Sequence, residues 1–246
     1  MKQTKIFGLL LLSCLINARA QTKSEKLNLY TFYSKSHAIL KDDWFAPSIQ
    51  RINDDLNVTI RFIDQLGTGN YGTKEFNQTM LDKIDLIDDA IKENWGGIFV
   101  YADIDIQFFR PFSNIIREML KKYDMVIAKD SPQGTCCAGF FAARANKRVK
   151  RLWQDVRKLT PTTRGDDQGA LNKFLRRTHP CPVKWAYLPK EFFGGGTLTG
   201  KNWEPGKSLP VPQNIIMHHA NWTVGLPNKI AQLQLVAAKT ARNRAD

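Results

Sequence analysis

Between Gly96-Gly97 and Asp103, the chain carries Ile98-Phe99-Val100-Tyr101, an unbroken apolar run that ends on Asp103-Ile104-Asp105. A run with no polar alternation suits a strand covered on both faces, which requires layers of helix above and below a sheet. The flanking sequence agrees. A helix is predicted from about Lys74 to Asn94, with Phe76, Met80, Ile84, Ile87 and Ile91 spaced three or four apart, and the Gly96-Gly97 pair ends it.

The rest of the chain alternates in the same way. Strands are expected at 27–33, 58–63, 125–128, 139–143 and 214–219. Helices are expected at 115–122, 148–159, 167–177 and after Pro227, and long loops in the Pro- and Gly-rich stretch from Pro180 to Pro212. A Gly/Asn-rich loop, Gly67 to Gly72, leads into the long helix. This order predicts an α/β single domain with a mixed, mostly parallel central sheet and helices on both faces.

The 246 residues carry 36 Lys and Arg against 23 Asp and Glu, a net charge of +13. Removing the first twenty residues, which hold Lys2, Lys5 and Arg19 and no acid, leaves +10. The composition excludes fibrous and disordered chains, and the charge favours anionic partners without choosing among them.

Lys2 and Lys5 precede an eleven-residue apolar stretch, Ile6 to Ile16, followed by Ala18-Arg19-Ala20. That pattern predicts a secretory signal at 1–20, cleaved after Ala20, with an uncleaved membrane anchor as the rival. A short linker, 21–26, would then lead to a domain over 27–238 and a basic tail over 239–246. Export puts Cys136, Cys137 and Cys181 in oxidising surroundings, so one bridge from the vicinal pair to Cys181 is expected, with one thiol left over. Three sequons, at Asn57, Asn77 and Asn221, are candidate glycosylation sites.

Several short segments carry chemistry. In an extended chain, residues i and i+2 share a side, so Asp103 and Asp105 are expected to present two carboxylates together at a strand end. That edge is where open α/β sheets hold ligands, and a hard cation such as Mn²⁺ or Mg²⁺ relieves the repulsion between paired carboxylates. His218-His219 lies at the end of another predicted strand, where only one ring of the two can face the site. Lys229 suits a phosphate, and Gly139 is placed where backbone passes close to a ligand. Asp166 and Asp167 open a helix, where capping alone explains them, and Lys83 reads locally as an exposed residue.

In order and spacing these segments resemble a glycosyltransferase of the GT-A fold, most of all the nucleotide-diphospho-sugar transferase domain of glycosyltransferase family 77. The resemblance runs from about Leu27 to Leu235. It rests on Leu29-Tyr30-Thr31-Phe32-Tyr33, on Lys83, on Tyr101-Ala102-Asp103-Ile104-Asp105, and on Gly139-Phe140 leading to Arg144. It continues through Asp167-Gln168 with Leu171-Asn172, His219-Ala220-Asn221-Trp222, and Gly225 with Lys229.

The resemblance implies a metal-dependent transferase that moves a hexose or pentose from a nucleotide-diphosphate donor, such as a uridine-diphosphate sugar, to a glycan or glycoprotein acceptor with retention. It implies Mn²⁺ (or Mg²⁺) on Asp103, Asp105 and His219, and donor contacts from Thr31, Tyr33, Lys83, Asp103, Gly139, Gly225 and Lys229. Asp167 and Gln168 are implied on the sugar and acceptor side. Nucleic acid is not an expected partner, and a membrane is one only if the amino-terminal segment stays attached. The need for a nucleotide sugar favours the secretory lumen, Golgi or endoplasmic reticulum, with secretion as the alternative. The alternatives are an exported basic protein that binds acidic glycans or nucleic acid, and an inactive homologue of the transferase.

Overall fold

The computed structural model describes residues 26–65, 73–163, 166–176, 179–196 and 201–243. The expected signal, all of the linker but Lys26, and the Gly67–Gly72 loop lie outside the described residues. Nine strands occur among them: β1 (Leu27–Tyr33), β2 (Leu56–Phe62), β3 (Ile98–Ala102), β4 (Ile106–Phe108), β5 (Met125–Lys129), β6 (Cys136–Arg144), β7 (Trp185–Tyr187), β8 (Phe192–Gly194) and β9 (Met217–His219). The α-helices are α1 (Ala46–Ile52), α2 (Lys74–Glu93), α3 (Ser113–Leu120), α4 (Lys147–Leu159), α5 (Asp167–Leu175) and α6 (Leu226–Arg242).

Six strands form the central sheet in the order β2-β1-β3-β6-β5-β7, and β4-β9-β8 form a small second sheet. In the central sheet β1, β2, β3, β5 and β7 run parallel, and β6 runs against its neighbours β3 and β5. The expected α/β architecture is therefore present.

The apolar run predicted to be covered on both faces is so covered, and its alternation divides the core. Val100 and Ala102 face a layer with Phe45, Phe108, Phe112, Ile116 and Leu233. Phe99 and Tyr101 face the opposite layer, with Ile84, Ile87, Trp153, Val156 and Leu171 from α2, α4 and α5. Tyr101 stacks on Phe141, which in turn stacks on Trp153, with centroids 5.6 and 5.1 Å apart. Each large side chain removed from water in this way contributes roughly 1.5–3 kcal/mol.

Three expectations need correction. The Pro180–Pro212 stretch contains β7 and β8, each only three residues long and so too short to show a period of two. The last strand is confined to Met217–His219. Lys239 to Arg242 belong to α6 rather than to a free tail; the Lys239 ammonium donates to the Leu209 carbonyl at 2.7 Å, and Thr240 is buried. Among the described residues no helix is long and apolar enough to cross a membrane.

The expected disulfide does not form: Cys136, Cys137 and Cys181 are all free thiols. Cys136 lies 3.8 Å from the Tyr187 hydroxyl, Cys137 meets His219, and Cys181 donates to the Val183 carbonyl at 3.5 Å. Burial pushes the Cys136 thiol up to about 12 and raises that of Cys137 as well, so both favour the neutral form.

Candidate active site

β3 ends at Ala102, so Asp103 and Asp105 are not consecutive outward positions of one strand, as the sequence suggested. They occupy the turn by which the chain leaves the central sheet and enters β4 of the small sheet. Each end of that turn is pinned by backbone. Asp103 N–H donates to the Gly139 carbonyl at 2.7 Å, and the Asp105 carbonyl accepts from Ala220 N–H at 3.0 Å.

The pairing of β4 with β9 sets Ile106 opposite His219, which brings a residue from late in the chain beside Asp105. His219 Nε2 lies 3.1 Å from Asp105 Oδ1 and 3.7 Å from Asp103 Oδ2. One ligating atom from each of Asp103, Asp105 and His219 falls within 4.8 Å of the others. His218 faces the other way, as adjacent strand residues must. It stacks on Phe193, its Nε2 lies 3.3 Å from Gln232 Oε1, and burial drives its pKa down to about 3.

Gly139 makes this convergence possible. A Cβ there would lie 2.3 Å from His219 Cε1 and 2.5 Å from Asp103 Oδ2. The close approach inferred from the sequence is thus to two of the site's own side chains.

Cations surround the acids. The Lys229 ammonium contacts Asp105 Oδ2 and donates to the Ala220 carbonyl at 3.0 Å. Burial opposes ionisation of Asp105, but Lys229 and then His219 outweigh it and hold the carboxyl well below the usual carboxylate range. Burial likewise disfavours the charged His219 ring, yet Asp105 outweighs it and raises the histidine well above its ordinary value.

Lys83, which reads locally as exposed, is 3 % exposed. Its ammonium sits 3.0 Å from Asp167 Oδ2 and 3.3 Å from Asp103 Oδ1. It also lies 4.9 Å from the centre of the Tyr101 ring, whose hydroxyl donates to Asp103 Oδ1 at 2.7 Å. The burial penalty on this lysine is outweighed by Asp103 and then Asp167, and its pKa is raised.

The remaining sequence-derived candidates fall into three groups. Tyr33 lines a cavity of ≈ 250 Å³ together with Phe32, Phe76, Asp103, Asp105 and Lys229. Gly225, at φ +84°, caps the start of α6 and so sets where Lys229 emerges. Thr31 does not join them: it is fully buried in β1, outside the cavity lining, and its hydroxyl has no partner.

Asp167 is buried against Lys83, and Gln168 is held in a separate network. Gln168 Oε1 accepts from Ala138 N–H at 3.0 Å, and its Nε2 donates to Asp130 Oδ2 at 3.0 Å. Sequence reasoning missed Asp130. This buried carboxylate also accepts from Asn221 Nδ2 at 2.6 Å and Trp222 Nε1 at 2.9 Å. The signal was present, because Asp130 follows the apolar strand Met125-Val126-Ile127-Ala128 much as Asp103 follows β3. Asn221, one of the three sequon asparagines, thus has its amide engaged by Asp130 and is only partly exposed.

A family model described as nucleotide-diphospho-sugar transferase matches residues 41–233. No curated protein sequence matches the chain. Among solved structures, a glycosyltransferase involved in glycosylating the major capsid of PBCV-1 aligns with a TM-score of 0.57 at 10% identity, over 87% of this chain and 99% of that one. The glycosyltransferase GlyE of Streptococcus pneumoniae TIGR4 aligns with a TM-score of 0.55 at 12% identity, over 89% of this chain and 64% of that one. The bifunctional glycosyltransferase WbbM aligns with a TM-score of 0.52 at 11% identity, over 80% of this chain; the aligned region spans 46% of WbbM.

Proposed function

Because the chain belongs to the nucleotide-diphospho-sugar transferase family, we propose that it moves a hexose or pentose from a uridine-diphosphate donor to a hydroxyl of a glycan or glycoprotein acceptor, with retention of configuration. The observation that carries this reading is the meeting of Asp103, Asp105 and His219 beside a cavity with aromatic walls and a lysine.

Two hard carboxylate oxygens and one imidazole nitrogen form a donor set suited to Mn²⁺ or Mg²⁺, and Gly139 leaves the room this cluster needs. Asp105 would be the main ligand of such a cation, and Asp103 and His219 would complete the set. When bound, the cation neutralises the charge that develops on the departing diphosphate.

The chain's own residues supply the rest. Tyr33, Phe32 and Phe76 give the nucleoside an apolar wall. Lys229, beside Asp105 in the first turn of α6, would bind the diphosphate near the amino end of that helix. Lys83 holds Asp103 and Asp167 in place, and the Asp130–Gln168–Asn221–Trp222 network shapes the sugar side.

Retention by attack on the leaving face is favoured because the acids of the site are already engaged. Asp103 and Asp167 bind Lys83, Asp105 binds His219 and Lys229, and Asp130 accepts three hydrogen bonds. In this reaction the bond from the anomeric carbon to the diphosphate oxygen breaks and a bond to the acceptor oxygen forms. The acceptor proton passes to the leaving diphosphate. The secretory lumen, entered through the signal at 1–20, is the compartment we assign, since it holds nucleotide sugars.

A thermal-shift screen of uridine- and guanosine-diphosphate sugars, each with and without Mn²⁺, tests the reading. The expected result is stabilisation by a uridine-diphosphate sugar only when Mn²⁺ is present, and its loss in Asp105→Ala. Full donor hydrolysis by Asp105→Ala in metal-free buffer would overturn the assignment.

A further inference from the structure

Three cavities adjoin one another at the end of the sheet opposite the acids. The first, ≈ 570 Å³, is bordered by Lys121, Lys122, Arg144, Arg148 and Lys184 against one acid, Asp124. The second, ≈ 290 Å³, shares Arg148 with it and adds Lys147 and Trp95. The third, ≈ 410 Å³, shares Arg144 with the first and Trp95 with the second, and adds Lys26, Arg117 and Glu93. Together these three adjoining hollows make up a groove bordered by eight cations and two acids, in which Lys121 is paired with Glu118 and Arg148 with Asp124.

The register of the sheet fixes its place. Arg144 pairs with Ile98 at the start of β3, whereas Phe140 pairs with Ala102 at the end that leads to Asp103. Four residues of strand separate the two ends, roughly 13 Å at the usual rise. Lys184 and Asp124 immediately precede β7 and β5, which run parallel to β3, so they belong to the same far edge.

Both acids are satisfied from within. Asp124 accepts from Asn146, from Arg148 Nε and from the Lys184 backbone at 2.9–3.0 Å, and Glu93 accepts the Tyr30 hydroxyl at 2.7 Å. Lys122 and Lys184 are exposed, and neither forms an ion pair among the described residues; Lys184 lies 5.3 Å from the centre of the Tyr123 ring. Trp95 is 53 % exposed where the second and third cavities meet. Lys122 and Lys184 thus bring positive charge that no acid offsets, and the groove is concave with an indole ring open to solvent.

We propose that this groove binds a polyanionic glycan chain, bearing sulfate, phosphate or carboxylate groups, at a site separate from the transferase cleft. Lysines and arginines spaced along three linked hollows match charges repeated along a sugar chain. The exposed face of Trp95 offers a stacking surface for the apolar face of a pyranose ring. A lipid surface is disfavoured by the concavity, because its headgroups lie in a plane. The proposal concerns binding alone and does not depend on the chemistry assigned to Asp105.

The test uses the full chain with a heparin oligosaccharide as the sulfated probe, polygalacturonate as the carboxylate probe and neutral dextran as the control. Binding is measured by calorimetry across a salt titration. The expected result is binding of either charged glycan and none of dextran, weakened at least tenfold in Lys122→Glu/Lys184→Glu. The slope of log affinity against log salt should fall by between one and two, as expected when two charge contacts are lost. Trp95→Ala is expected to weaken glycan binding about fivefold while leaving that slope unchanged. All variants should keep the melting temperature and Mn²⁺ affinity of the parent, since the altered side chains are exposed and remote from the acids.

Undiminished heparin and polygalacturonate binding in the double charge variant would overturn the site. Tighter binding to duplex DNA or to phosphatidylserine vesicles than to either glycan, lost in the same variant, would overturn the ligand class.

Discussion

The Cys137 sulfur lies 3.3 Å from Nδ1 of His219, on the side of the ring away from the 3.1 Å contact between Nε2 and Asp105. The thiol therefore fixes the ring's orientation while Nε2 faces the carboxylates. Groups behind a metal ligand typically change affinity 10- to 100-fold when removed. Cys137→Ala is expected to weaken Mn²⁺ binding about tenfold, and Cys137→Ser to restore most of it, as read by titration of the free ion's paramagnetic resonance signal.

Lys83 and Asp167 form a buried ion pair whose side chains are each 4 % exposed. Removing one partner of such a pair strands the other charge and costs about 3–5 kcal/mol. Lys83→Met should lose that much in urea unfolding. The double variant Lys83→Met/Asp167→Leu should recover a large part of it, because both charges then leave the interior together.

Gly139→Ala would press a methyl group against His219 and Asp103 at distances no real Cβ tolerates. The contact is with the site itself, so the damage should be selective. The expected outcome is a loss of about 1–3 kcal/mol in stability with a more than tenfold loss of Mn²⁺ affinity. Calorimetry and thermal unfolding of the same sample measure both.

The stability of the metal-free protein should depend on pH through Asp105 and His219. Asp105 is held well below its ordinary value by Lys229 and His219 against the burial penalty, so its contribution is present above about pH 4 and is lost as pH falls through the folded value. His219 is raised well above its ordinary value, so its contribution is full below about pH 6.5 and is lost as pH rises through the folded value. Melting temperature in chelator should therefore be highest between these limits and decline on either side, and the profile should flatten in Asp105→Asn. Mn²⁺, which requires the neutral ring, should bind more tightly as pH rises.

The central strand, α2 and the strand-then-acid pattern were legible in the sequence because each follows from a local period. A continuous apolar run reports two covered faces, and three-and-four spacing reports one helix face. The same local rule misread Lys83. Charge and helical position argued for solvent, and only the arrival of Asp103 and Asp167 from other elements makes burial of an ammonium tolerable. It also predicted a disulfide from compartment chemistry, although strand geometry directs Cys137 to His219 and Cys136 towards Tyr187.

By itself the sequence determined the layered α/β class, the acids after β3 and the histidine after a late strand, since these depend on residue type and short-range spacing. Tertiary structure decided that Asp103 and Asp105 meet through a turn between two sheets, that His219 rather than His218 faces them, and that Asp130 organises a network of its own. It also brought Lys122 and Lys184 to the border of one cavity. Such outcomes depend on strand order and register, which bring together residues over a hundred positions apart, and no periodicity along the chain encodes that pairing.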